Sequence, residues 1–202
     1  MQRLMKNKKN VIILSLLIIG SLGLIAQPAD SSTSFIDTRD GKTYKTIKIG
    51  NQIWMAENLA FKAPEGCVAV DNIENNVNLY GYLYNWETAK KVCPEGWHLS
   101  TDGEWTQLTE YLGEEADKKL KNSSGWFEER NGINSSGFSA LPGGCSPSNK
   151  VFQYSGYYGF WWTSTQADER NAWCRIMGYN QDKVVRENMR INYGYSIRCI
   201  KD

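Results

Sequence analysis

Five cysteines, one histidine and a high density of aromatic residues are the groups in this chain that could do chemistry. The cysteines stand at Cys67, Cys93, Cys145, Cys174 and Cys199. An odd number in an exported chain implies disulfides and one leftover thiol. Five choices of the odd residue times three pairings of the other four give fifteen two-bridge patterns, and the sequence alone does not choose among them. The histidine, His98, lies between Trp97 and Leu99. Apolar neighbours of that kind point to a core or supporting role rather than to a mobile base. A nucleophile-base-acid triad would have no other histidine to use. No H-E-x-x-H, C-x-x-C, P-loop or G-x-S-x-G pattern occurs, which removes the commonest zinc, redox, nucleotide and serine-hydrolase readings. Glu104 remains as an acid, but Thr101 three residues earlier accounts for it as half of a helix capping box. Asp168, Glu169 and Asn171 could offer oxygens to calcium, yet a cage needs more converging carboxylates or amides, and the three read as a solvated turn. No catalytic residue, metal or cofactor is assigned.

The elements that must position these groups centre on residues 86–112, WETAKKVCPEGWHLSTDGEWTQLTEYL. Trp86, Ala89 and Val92 or Cys93 recur at helical spacing, so a short amphipathic helix is expected there, stopped by Pro94 and Gly96. Trp97-His98-Leu99 reads as an extended crossing segment. The Thr101/Glu104 box starts a second helix, with Trp105, Leu108 and Leu112 as its inward stripe and Gly113 as its stop. Before this hub, FIDTR, KTYKTIKI and QIWMA are separated by Asp40-Gly41 and Gly50-Asn51, which predicts a three-stranded meander. Residues 61–78 read as a loop. After the hub, residues 121–136 form a polar excursion broken by Trp126-Phe127, a length usually kept for function or disorder. GFSALPGG then returns an apolar segment to the core, and strands are expected within 154–165, 172–177, 183–186 and 195–200.

At the N-terminus, Arg3, Lys6, Lys8 and Lys9 precede a sixteen-residue apolar run from Val11 to Ala26, the layout of a secretory signal. Cleavage after Ala26 is expected, with cleavage after Gly23 or an uncleaved anchor as alternatives, the run being slightly short of the ~17–25 residues that span a bilayer. Residues 27–34 read as a polar linker. Removing residues 1–26 takes away four positive charges and no negative ones, so the formal charge falls from +1 to −3. That excludes the basic footprint of a nucleic-acid-binding protein. Membrane contact is expected only through residues 11–26, if they are retained. Eight Trp, eleven Tyr and six Phe do not by themselves indicate a ligand, since such residues usually fill cores.

The segments GNQIWMAENL, CPEGWHLSTDGEW, GFSALPGG, GYYGFWWTST and YGYSIRCIKD, in that order, resemble the Fibrobacter succinogenes major paralogous domain family of secreted bacterial proteins, over residues 35–202. More distantly, HLSTDGEW with the terminal GYSIRC is similar to segments of the formylglycine-generating enzyme superfamily, and A-x-x-x-C followed by HL and E resembles C-type-lectin-like domains. The resemblance implies an α+β, C-type-lectin-like fold, with two short helices packed on antiparallel strands, preceded by an N-terminal meander, and with both termini meeting. It also implies a long-range bridge from Cys93, on the first helix, to Cys199, on the last strand. Cys145 and Cys174 would then sit on neighbouring strands and pair, which leaves Cys67 free. The close cysteine pair used by formylglycine-generating enzymes is missing here, so that activity does not carry over.

Lectin-like domains present ligands from the half that here carries Tyr154, Tyr157, Tyr158, Trp161, Trp162 and Trp173. The expected ligand residues are Trp126, Tyr157, Tyr158, Trp161 and Trp162, on the loop after Gly125 and the strand around 157–162. Side chains alternate along a strand, so about half of that strand's rings should point each way. The expected function is non-enzymatic recognition, secreted or periplasmic, of a glycan or a cell-surface protein. A structural or adhesive surface protein and an enzyme are the alternatives; the first would show a large flat patch, the second a polar cleft with perturbed acids.

Overall fold

The computed structural model describes residues 33–148 and 151–202. The expected signal, 1–26, and residues 27–32 of the expected linker lie outside the described residues.

The chain opens with the meander: β1 (Thr33–Ile36), β2 (Thr43–Ile49) and β3 (Gln52–Met55), each antiparallel to the next. β1 starts two residues inside the stretch read as linker. Gly50 takes a φ of 60° in the second turn, a conformation that costs a glycine nothing. Next come β4 (Cys67–Ala69), α1 (Val77–Tyr80) and β5 (Tyr82–Tyr84), with β5 folding back on β4. The stretch expected to be a loop therefore holds a strand and two single 3-10 turns, Val70–Asn72 and Glu74–Asn76.

α2 (Trp86–Ala89) is shorter than its apolar spacing suggested. Asn85 caps it by accepting from the Thr88 amide, and at its end the Lys91 amide bonds to the Thr88 carbonyl, a tight three-residue closure that ends the helix early. Cys93 thus lies beyond the helix rather than on it. β6 (Trp97–Leu99) crosses to α3 (Asp102–Leu112), whose start carries the full Thr101/Glu104 capping box and whose stop is Gly113, at φ 66°. Trp105 and Leu108 are fully buried on its inner face. α4 (Ala116–Leu120) follows. β7 (Cys145–Ser148), β8 (Val151–Gln153), β9 (Tyr158–Gln166), β10 (Asn171–Gly178), β11 (Val185–Arg190) and β12 (Cys199–Lys201) complete the chain.

The architecture is mixed α and β, with short helices on mostly antiparallel sheets. The largest sheet has the order β1-β2-β3-β12-β6, so the last strand is inserted between the N-terminal meander and the crossing segment. β11-β10-β9 forms a second sheet, and β4-β5 and β7-β8 are two-stranded. The Cys93–Cys199 disulfide, over a separation of 106 residues, ties the segment after α2 to β12. Closing a loop of that length is worth roughly 4–5 kcal/mol in the chain-entropy account.

Two apolar clusters fill the interior, and β9 supplies both. Trp161 goes to one with Trp54, Trp105 and Phe138; Trp162 goes to the other with Tyr84 and Tyr195.

Candidate functional site

Trp161 and Trp162 do point to opposite faces, but both faces are covered. Each ring is 0% exposed, and Trp126 is 3% exposed, so these three expected ligand residues are corrected to core. Their indole N–H groups are satisfied internally: Trp161 donates to Asn58 Oδ1 at 2.9 Å, Trp162 to the Tyr84 carbonyl at 2.9 Å and Trp126 to the Ala140 carbonyl at 3.2 Å. A buried ring whose only polar group already has a partner has nothing to offer a ligand.

The other two, Tyr157 and Tyr158, are at the surface, and the fold assembles further rings around them. Phe127 comes from the excursion after Gly125, where its amide bonds to the Gly156 carbonyl at 2.9 Å. It stacks on Tyr157 with ring centres 4.2 Å apart. Tyr179, just past β10, meets Phe127 at 5.3 Å, Tyr157 at 5.6 Å and Tyr158 at 6.0 Å, each edge-on. Tyr154 stands edge-on to Tyr158 at 5.6 Å. Phe127, Tyr154 and Tyr157 are 37%, 52% and 38% exposed, which makes this an open aromatic face rather than a core edge. The Tyr158 hydroxyl donates to Asn180 Oδ1 at 2.8 Å; among the described residues, those of Tyr154, Tyr157 and Tyr179 have no protein partner. Glu128 and Glu129, which flank the face, and Tyr154 within it hold φ of 53°, 55° and 66°, left-handed backbone that side-chain-bearing residues adopt at a cost of order 1–3 kcal/mol each.

A 230 Å³ groove adjoins this face through Tyr179 and is lined on its polar side by Arg130, Asn131, Gln181 and Asp182. Its floor is rigid. Lys121 is 3% exposed, pairs with Asp117 at 3.2 Å and donates to the Gly178 and Gln181 carbonyls at 2.6 and 3.2 Å. Phe127 and Tyr179 were not among the expected ligand residues. Phe127 carried a weak signal as part of the aromatic break in the polar excursion, whereas Tyr179 stands alone after Gly178 and carried none.

His98 and Asp168 are both engaged by neighbouring groups. His98 is half-buried at a sheet edge, with Nδ1 2.6 Å from Asp202 Oδ1 and Nε2 2.9 Å from Glu104 Oε1. Burial opposes its charged form, but hydrogen bonds to the two carboxylates outweigh that and raise its pKa. With both nitrogens taken by acids, neither is free to serve a nucleophile. Asp168 accepts from both the Asn171 amide and the Arg170 backbone, closing the turn between β9 and β10. Among the described residues, no three or more His, Cys, Asp or Glu side chains gather as a metal-holding group.

Cys145 and Cys174 do not pair; with Cys67 they are free thiols. The neighbours of β10 are β9 and β11, where Cys174 faces Trp162 and Glu187, while Cys145 belongs to the separate β7-β8 hairpin and faces Gln153. The neighbouring-strand placement expected for that bridge is not found, although both thiols belong to the same buried cluster. Burial pushes the Cys145 thiol up to about 11 and that of Cys174 further, the opposite of an activated nucleophile.

Arg198, 1% exposed, is a buried cation that sequence reasoning passed over. Its Nε donates to Asn58 Oδ1 at 2.7 Å, the atom that also receives Trp161. Nη1 reaches the Met55 and Phe138 carbonyls, and Nη2 that of Ser139 at 3.1 Å. Asn58 in turn donates to the Tyr80 carbonyl and to Ser196 Oγ. WMAENL, GFSALPGG, GFWWTST and YSIRC therefore converge on one buried polar knot.

A family model described as the Fibrobacter succinogenes major domain matches residues 47–201. The chain belongs to that family. No curated protein and no solved structure matches it. The matched span runs from β2 to β12, so it contains the polar knot, the disulfide and the aromatic face alike.

Proposed function

We propose that this member of the Fibrobacter succinogenes major domain family is a non-enzymatic recognition domain of the bacterial exterior or periplasm, which takes a sugar ring on the Phe127–Tyr157–Tyr179 face. The observation that carries the reading is the convergence of rings from three separate segments onto one exposed surface beside a polar groove. Aromatic faces suit the apolar side of a pyranose, and the tyrosine hydroxyls together with Arg130, Asn131 and Asp182 suit its hydroxyls. We read the fold as C-type-lectin-like: helices on antiparallel strands, a bridge onto the last strand, and the N-terminal meander sharing a sheet with that strand. The disulfide supports an oxidising compartment. No described helix is long and apolar enough to cross a membrane.

A glycan array run beside a pull-down for protein partners tests the proposal. Binding of a defined glycan that is lost in Tyr157→Ala and Phe127→Ala, with melting unchanged, supports it. Glycan binding that survives both substitutions overturns the site. Capture of a protein partner alone, sensitive to the same substitutions, moves the reading to adhesion.

A further inference from the structure

Away from the aromatic face lies a cavity of 330 Å³, within the usual size of small-molecule sites, roughly 300–1,000 Å³. It shares no lining residue with the face. Arg198, Lys42 and Lys45 contribute three positive charges to its lining, against Glu57 alone on the negative side. None of the three cations has a carboxylate within ion-pair distance among the described residues.

Arg198 is the telling member. It is 1% exposed, its guanidinium lies over the Phe138 ring, and its hydrogen-bond partners are all neutral oxygens. A guanidinium has five N–H groups. Nε uses one, Nη1 two and Nη2 one, which leaves a single N–H of Nη2 without an acceptor. A buried charge with no ion-pair partner is costly, and its desolvation, which the more distant Glu57 only partly offsets, holds the Arg198 pKa down at about 9. An anionic oxygen entering the cavity would supply both the missing acceptor and the missing charge.

We propose that this cavity binds a small organic carboxylate of the uronic-acid class, its acid group held by Arg198 with Lys42 and Lys45. The rest of the lining narrows the class. Val77 and Leu141 give apolar wall, and the Asn78 and Asn122 amides give hydroxyl partners, as a sugar acid requires. Two lysine ammoniums and one guanidinium N–H also suit a phosphate, so inorganic phosphate is the competing anion in the test.

Sodium glucuronate, glucose, inorganic phosphate and sodium chloride at matched ionic strength are titrated into the full chain at pH 7, read by calorimetry and thermal shift. Glucuronate should bind saturably and raise Tm, while glucose and chloride do neither. Since Arg198 is part of the core, the site is tested at its outer lysines. The Lys42→Gln/Lys45→Gln double variant should melt as the parent does and bind glucuronate about tenfold more weakly. A glucuronate response no larger than that of chloride, equal binding of phosphate, or undiminished binding by the double variant each overturns the assignment. Because Tyr157 and Phe127 take no part, Tyr157→Ala should leave glucuronate binding intact, and this separates a failure here from a failure of the aromatic face.

Discussion

Trp54, Trp105, Phe138 and Trp161 form one aromatic cluster, and Phe127, Tyr154, Tyr157, Tyr158 and Tyr179 form another; the ring separations are alike, 5.3–6.2 Å in the first and 4.2–6.0 Å among the contacts described for the second. What differs is the fate of the polar atoms. In the first cluster every indole N–H is spent inside: Trp54 on Gln52, Trp105 on Ser100, Trp161 on Asn58. In the second, three hydroxyls are left to solvent. Ring-on-ring packing therefore does not mark a binding face. Exposed rings with unspent polar edges do, because a ligand gains only what the protein has not already satisfied.

The sharpest attempt to break this contrast is truncation of the adjacent tryptophans. Trp161→Ala and Trp162→Ala should each cost about 3–5 kcal/mol in urea unfolding, since both rings leave cavities in closed clusters. A loss under about 1 kcal/mol for either would mean that its face of β9 is open after all.

Next is the polar knot beneath Trp161. Asn58→Leu removes the acceptor shared by Trp161 and Arg198 and should cost about 3 kcal/mol, one buried neutral donor and one buried charged donor being left unpaired. An unfolding midpoint close to that of the parent would show that water replaces the amide and that the interior is wetter than described.

On the open face, Tyr157→Ala should change stability by no more than about 1 kcal/mol, the value of a half-exposed stacked pair, while it abolishes ligand binding. Early melting of that variant would place Tyr157 with the buried cluster and dissolve the comparison.

The smallest effect concerns His98, a charged contact at the same level of exposure. Only the imidazolium can donate to both Glu104 and Asp202, so its folded-state pKa is raised above 6.5. The resulting stabilisation is fully present below about pH 6.5 and is lost as pH rises through the higher folded value, and at this exposure it is under about 1 kcal/mol. Melts of the parent and His98→Gln from pH 5.5 to 9 should therefore converge as pH rises. Divergence toward alkaline pH would reverse the assignment.

Local signals were the legible ones. Thr101 with Glu104, Gly113, Asp40-Gly41 and Gly50-Asn51 act through hydrogen bonds and φ preferences between residues a few positions apart, so they read directly as the start and stop of α3 and the turns of the meander. The opposite orientation of Trp161 and Trp162 was legible for the same reason. That both faces of β9 are covered was not, because it depends on α3, β5 and the 138–140 segment arriving from elsewhere in the chain. The absent Cys145–Cys174 bridge, the gathering of Phe127 and Tyr179 around Tyr157, and the burial of Arg198 have the same origin. By itself the sequence determined the family, the capped helix, the meander and the alternation of side chains along the strands, all of which follow from neighbouring residues. Only the tertiary structure decided which aromatic rings are covered and which cation is stranded, since burial is a property of what packs against a residue and not of the residue.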